Sequence, residues 1–67
     1  MSYQIGTLTG NSVEWESHSI GEDEIHEALM SKLGIEDGLA RGSMAEAGKM
    51  GDRGVHVSNT HKIRRTA

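Results

Sequence analysis

Six glycines fall within residues 34 to 54 of this 67-residue chain, and they restrict its architecture more than any other feature. Glycine in a helix interior costs about 1 kcal/mol relative to alanine, and in a strand it leaves nothing to pack. Residues 36 to 54 therefore read as a glycine-rich extended arm. At most one helical turn is expected, over Met44-Ala45-Glu46-Ala47 with Ser43 as its cap. The repeat in GKMGDRG resembles collagen only on the surface, since proline is absent and the run is short.

The same stretch contains GSMAEAGKMG, which invites comparison with a phosphate-cradling loop. That motif needs four residues between its first glycine and Gly-Lys, then a Ser or Thr hydroxyl for magnesium. Here Ser43 to Ala47 separate Gly42 from Gly48, and Met50 follows Lys49. No apolar strand precedes the stretch, and the length cannot supply the βα units of a nucleotide-binding domain. The reading is rejected.

Leu, Ile and Val number twelve and phenylalanine is absent, just under the ~20% line below which disorder sets in. A net charge of −3 is modest, so the core is thin rather than missing. Domains this small need disulfides, a metal or association. With no cysteine, disulfides and thiolate zinc sites are excluded. No run has the length of a membrane span, and Met1-Ser2-Tyr3-Gln4 lacks the features of a signal peptide. The expected setting is the cytosol or a virion assembled there, with no membrane partner.

Charge is distributed unevenly. Residues 1 to 48 carry nine acids against Lys32 and Arg41, a balance of −7, whereas residues 49 to 67 carry five bases against Asp52, a balance of +4. Such a chain can pair head to tail with copies of itself or present one sign to a partner.

Three segments have regular patterns, and together they predict a small α+β fold. Residues 3 to 16 read as a β-hairpin about a type II′ turn at Gly10-Asn11, with Leu8 opposite Val13 and Gly6 opposite Trp15. A bulge at Gly6-Thr7 would bring Tyr3, Ile5, Leu8, Val13 and Trp15 to one face. Ser19-Ile20-Gly21-Glu22 matches a capping box, and Ile25, Leu29 and Leu33, with Ala28, form an apolar stripe. A helix over residues 20 to 33 follows, ended by Gly34 with Ile35 folding back. Residues 55 to 63 alternate and predict an edge strand. The expected organisation is a hairpin–helix mini-core over 1 to 35, the arm over 36 to 54, and a strand with basic tail over 55 to 67.

Sites of chemistry are sparse. His56 and His61, five apart on a strand, point to opposite faces and cannot share a metal, and His18 and His26 lack a ligand spacing. No Gly-x-Ser-x-Gly elbow accompanies the Ser, His and Asp residues. Glu14 with Glu16, and Glu22 to Glu27, read as solvated acids. No catalytic, cofactor or metal residue is expected. Residues for partner contact are Tyr3 and Trp15 as aromatic anchors, Met44 and Met50 as adaptable apolar contacts, and Val55, Val57, Ile63, Arg64 and Arg65 on the added strand and tail.

The leading expectation is a non-enzymatic structural or accessory subunit of a larger homo- or hetero-oligomer, such as a virion or capsid-associated protein. The alternative is a small acidic protein that inhibits or binds a basic site on a protein partner. A nucleic-acid accessory using the tail from His61 onward ranks third, because the acidic front half opposes it.

Overall fold

Residues 1 to 66 are described by a computed structural model; Ala67, the end of the expected basic tail, lies outside the described residues. The hairpin forms from β1 (Ser2–Thr9) and β2 (Ser12–Trp15). Its register pairs Leu8 with Val13 and Gly6 with Trp15, as the sequence predicts. Gly10 has φ 62° and Asn11 a negative φ, the type II′ geometry that matches strand twist.

The expected bulge at Gly6-Thr7 is absent, and pairing runs unbroken from Gly6 to Thr9. Odd and even residues of β1 therefore serve opposite faces of the sheet. Tyr3 and Ile5 face the core, while Gly6, Leu8, Val13 and Trp15 face away from it. Gly6 serves proximity rather than a bulge, because the Trp15 ring lies against it.

β3 (Ile20–Gly21) pairs with Ser2 and Tyr3 at the start of β1. That pairing shortens the first helix, α1, to Glu22–Ser31. Gly21 stands at its N-terminus with no side-chain cap, and the predicted capping box is not formed. Ser19 Oγ instead shares a 3.1 Å hydrogen bond with Thr66 Oγ1. At the other end Gly34 has φ 68°, and Ile35 N–H donates to the Leu29 carbonyl at 2.9 Å, as a folded-back helix terminus requires.

The predicted extended arm is instead a second helix, α2 (Asp37–Met50). Ala40, Met44 and Ala47, at spacings of four and three, form its buried stripe. Two of the three are alanines with 0% exposure, so the helix backbone comes close to the sheet and to α1. This packing outweighs the glycine penalty, as tertiary contact usually outweighs propensity. Gly51, at φ 65°, ends α2, and a short 3₁₀ turn (Gly51–Arg53) leads to the sheet.

The predicted single strand over residues 55 to 63 is a second hairpin, of β4 (Val55–His56) and β5 (His61–Arg65). Ser58-Asn59-Thr60 makes the reversal. Ser58 Oγ accepts from Thr60 N–H at 3.2 Å and from His61 N–H at 3.1 Å. Nor is β5 an edge strand. The sheet order is β2-β1-β5-β4, antiparallel throughout, with Ile5 paired to Ile63 and Tyr3 to Arg65.

The result is an α+β fold of two layers, a five-stranded sheet with both helices on one face. The core comprises Tyr3, Ile25, Leu29, Ala40, Met44, Ala47 and Ile63, with Ile25, Leu29 and Ile63 the largest fully buried side chains. Each of those three contributes about 1.5–3 kcal/mol by leaving water. No helix among the described residues is long and apolar enough to cross a membrane.

Candidate functional site

Because both helices cover the same face of the sheet, two surfaces remain on opposite sides of β1. The first is a groove between α1 and the strands β1 and β3, with a volume of about 740 Å³. Ile5, Ile20, Ala28 and Leu33 give it an apolar floor. Glu16 rims it from the end of the first hairpin, and Asp23, Glu24 and Glu27 rim it from α1. Lys32 and His61 are the basic residues along its wall. The acids of α1 are exposed, and those of its first turn also favour the helix by lying at the positive end of its dipole.

The second surface is the outer face of the sheet. The register places Gln4, Gly6, Leu8, Val13, Trp15, His56, Lys62 and Arg64 on it. No acid is among these residues. Trp15 reaches across from β2. A Cβ on Gly6 would stand 2.7 Å from Trp15 Cε3, and one on Gly54 would stand 3.0 Å from Cη2. The indole therefore lies over two positions where only hydrogen occupies the Cβ site. The Arg64 guanidinium sits 4.3 Å from the ring centroid, a cation–π contact. Gln4 fixes this arrangement, accepting from Arg64 Nε at 2.9 Å and donating from Nε2 to the Glu16 carbonyl at 2.7 Å.

A third cluster ties α1 to the start of α2. His26 Nε2 lies 2.7 Å from Asp37 Oδ1, and Arg41 Nε donates to the two carboxylate oxygens at 3.0 and 3.2 Å. The hydrogen bond from His26 holds the Asp37 carboxyl below its ordinary value of 3.8; desolvation opposes this, and Arg41 adds to it. The cleft beside this cluster is lined by Met1, Tyr3 and Arg41, among others, with no serine or threonine to act as a nucleophile. We read the cluster as an interhelix clasp.

The residues expected to meet a partner are distributed among three environments. Tyr3, Met44 and Ile63 are buried in the chain's own core, with Val55 and Val57 packed half-buried against it. Trp15 and Arg64 come together on the outer face. Met50 is 37% exposed at the end of α2, and Arg65 lies on the helix side, its Nη1 2.8 Å from where a Gly48 Cβ would stand. The basic run from His61 to Arg65 is thus an inner strand of the sheet and not a loose tail. Gly42 to Met50 of GSMAEAGKMG are helical, so no loop exists there to receive a phosphate. His56 and His61 lie on opposite faces, but on the two strands of a hairpin and not five apart on one strand, so the register and not their spacing separates them. Among the described residues no three His, Asp or Glu side chains gather as metal ligands would.

The groove was not foreseen. Its acids were read as a solvated helix start, and its apolar floor comes from residues far apart in sequence that only the β1–β3 pairing brings together. No protein-family model, curated protein or solved structure matches the chain.

Proposed function

We propose that this chain is a non-enzymatic accessory subunit that binds a protein neighbour in a larger assembly through the groove between α1 and the sheet. The observation that carries the reading is the combination of an apolar floor (Ile5, Ile20, Ala28, Leu33) with an acidic rim (Glu16, Asp23, Glu24, Glu27) in a groove of about 740 Å³. Apolar centre and charged border are the composition of a protein contact, in which the centre supplies affinity and the border supplies orientation and partner choice. A neighbour with an apolar projection ringed by Lys or Arg suits it. A virion is one kind of assembly in which so small a chain would serve.

The acid rim also supports a second reading, a binding or inhibitor protein that covers a basic site on an unrelated protein. The two differ in stoichiometry, repeating contacts for a subunit against a single 1:1 complex for an inhibitor.

The test is the mass of the native species in an extract of the cells that make it. The expected outcome is a particle well above the 7.3 kDa of one chain, from which Ile20→Asp releases the protein while its far-UV circular dichroism stays unchanged. A species of single-chain mass in the extract would overturn the proposal.

A further inference from the structure

We propose that the groove's neighbour is a second copy of the same chain, which presents the outer face of its sheet, so that copies join head to tail. This rests on the reading of the groove as a protein contact and adds the identity of what fills it.

Both halves of the contact are on one molecule. The groove has four acids along an apolar floor, against Lys32 and His61 on its wall. On the outer face Leu8, Val13 and Trp15 of β1 and β2 lie beside Lys62, Arg64 and His56 of β5 and β4, and no acid is among the residues the register places there. Leu8, Val13 and Trp15 are only half-buried, so apolar area remains to be covered. Opposite potentials beside apolar areas attract, steer encounter and set register. A nucleic acid would meet the same cationic face, but the acids of the groove would repel it, so it would leave the groove's apolar floor uncovered. The chain's own complementarity favours the second copy.

The geometry sets the symmetry. Ile5 belongs to the groove and Gly6, the next residue, to the outer face, so the two surfaces point away from each other across one sheet. A contact between different surfaces of identical chains is heterologous. It leaves one groove and one face unfilled in every pair, and continues into a ring or a filament instead of closing as a two-fold dimer.

Two charge-reversed proteins test this by sedimentation equilibrium of the purified full chain. Glu24→Lys/Glu27→Lys makes the rim basic like the face, and His56→Glu/Lys62→Glu makes the face acidic like the rim. Wild-type protein is expected to form species larger than a dimer at high concentration and to dissociate as salt rises. Each variant alone should associate at least about tenfold more weakly. An equal mixture of the two should regain association, because each basic groove then meets an acidic face and each acidic groove a basic face. Where circular dichroism shows that a double variant has not folded, Glu27→Lys or Lys62→Glu alone replaces it.

A wild-type protein that stays monomeric at all concentrations overturns the inference, and the large species in the extract then decides the groove reading separately. Undiminished association of Glu24→Lys/Glu27→Lys overturns it in favour of a contact without the groove. Monomeric protein that retains a single-stranded oligonucleotide, with retention lost in His56→Glu/Lys62→Glu, overturns it in favour of a nucleic-acid surface.

Discussion

Gly6 lies beneath Trp15: the two are cross-strand partners on the outer face, and a Cβ on residue 6 would stand 2.7 Å from the ring and 2.5 Å from Val13 Cγ1. Gly6→Ala is expected to destabilise the fold by ~1–3 kcal/mol, the usual cost of forcing atoms into filled space. Urea unfolding followed by far-UV circular dichroism measures it, a readout that does not depend on Trp15, the single tryptophan. In a Trp15→Ala background the cost should fall by at least ~0.5 kcal/mol, since residues in contact are not additive. An equal cost in both backgrounds would mean that the indole does not rest on Gly6.

Glycines 42 and 48 share α2 but not their surroundings. Nothing lies within 4 Å of a Cβ on Gly42, whereas one on Gly48 would stand 2.8 Å from Arg65 Nη1. Gly42→Ala should stabilise the protein by ~1 kcal/mol, the helix-propensity difference, and raise Tm by ~4–8 °C. Gly48→Ala should yield a smaller gain, because the arginine must shift. Thermal melts by circular dichroism decide the order. Were residues 37 to 50 an extended arm, neither substitution would have this helix-propensity benefit.

Asp37 supplies the pH dependence. Its folded pKa lies below its ordinary value of 3.8, first because of the His26 hydrogen bond. A depressed carboxylate stabilises the fold fully above its unfolded pKa and stops doing so as pH falls through the folded value. Wild type should therefore be more stable than Asp37→Asn at neutral pH, and the difference should shrink in acid below pH 3.8. Denaturant midpoints measured across that range check it. A difference that grows with acidification would contradict the sign.

Local chemistry was legible where it acts alone. The type II′ turn at Gly10-Asn11 sets the first hairpin's register, and Gly34 with Ile35 closes α1, both read from neighbouring residues. What escaped the sequence depends on distant partners. Gly38, Gly42 and Gly48 argue against a helix over 37 to 50, and only its contact with the sheet and α1 makes the Ala40–Met44–Ala47 stripe decisive. Ser19 lost its capping role because Ile20 and Gly21 pair with β1. Gly6 carried a real signal, but a strand glycine marks either a bulge or a close approach. The ring opposite it favoured the second. The groove was hidden for the same reason, since Ile5 and Ile20 share a floor only after β3 joins the sheet.

The pairing of β1 with β5 joins residues 3 to 7 to residues 61 to 65. During synthesis Tyr3 and Ile5 emerge well before the strand that completes their sheet, some fifty-odd residues later in the chain. At ~5–20 residues per second the early hairpin waits several seconds for its partner. Until then its β1 edge and apolar face stay open to wrong pairing. The pairing also has high sequence separation, which slows folding. A nascent chain stalled before Ile63 therefore displays the hairpin without its sheet, and the ribosome, in effect, decides when this protein becomes a folded object.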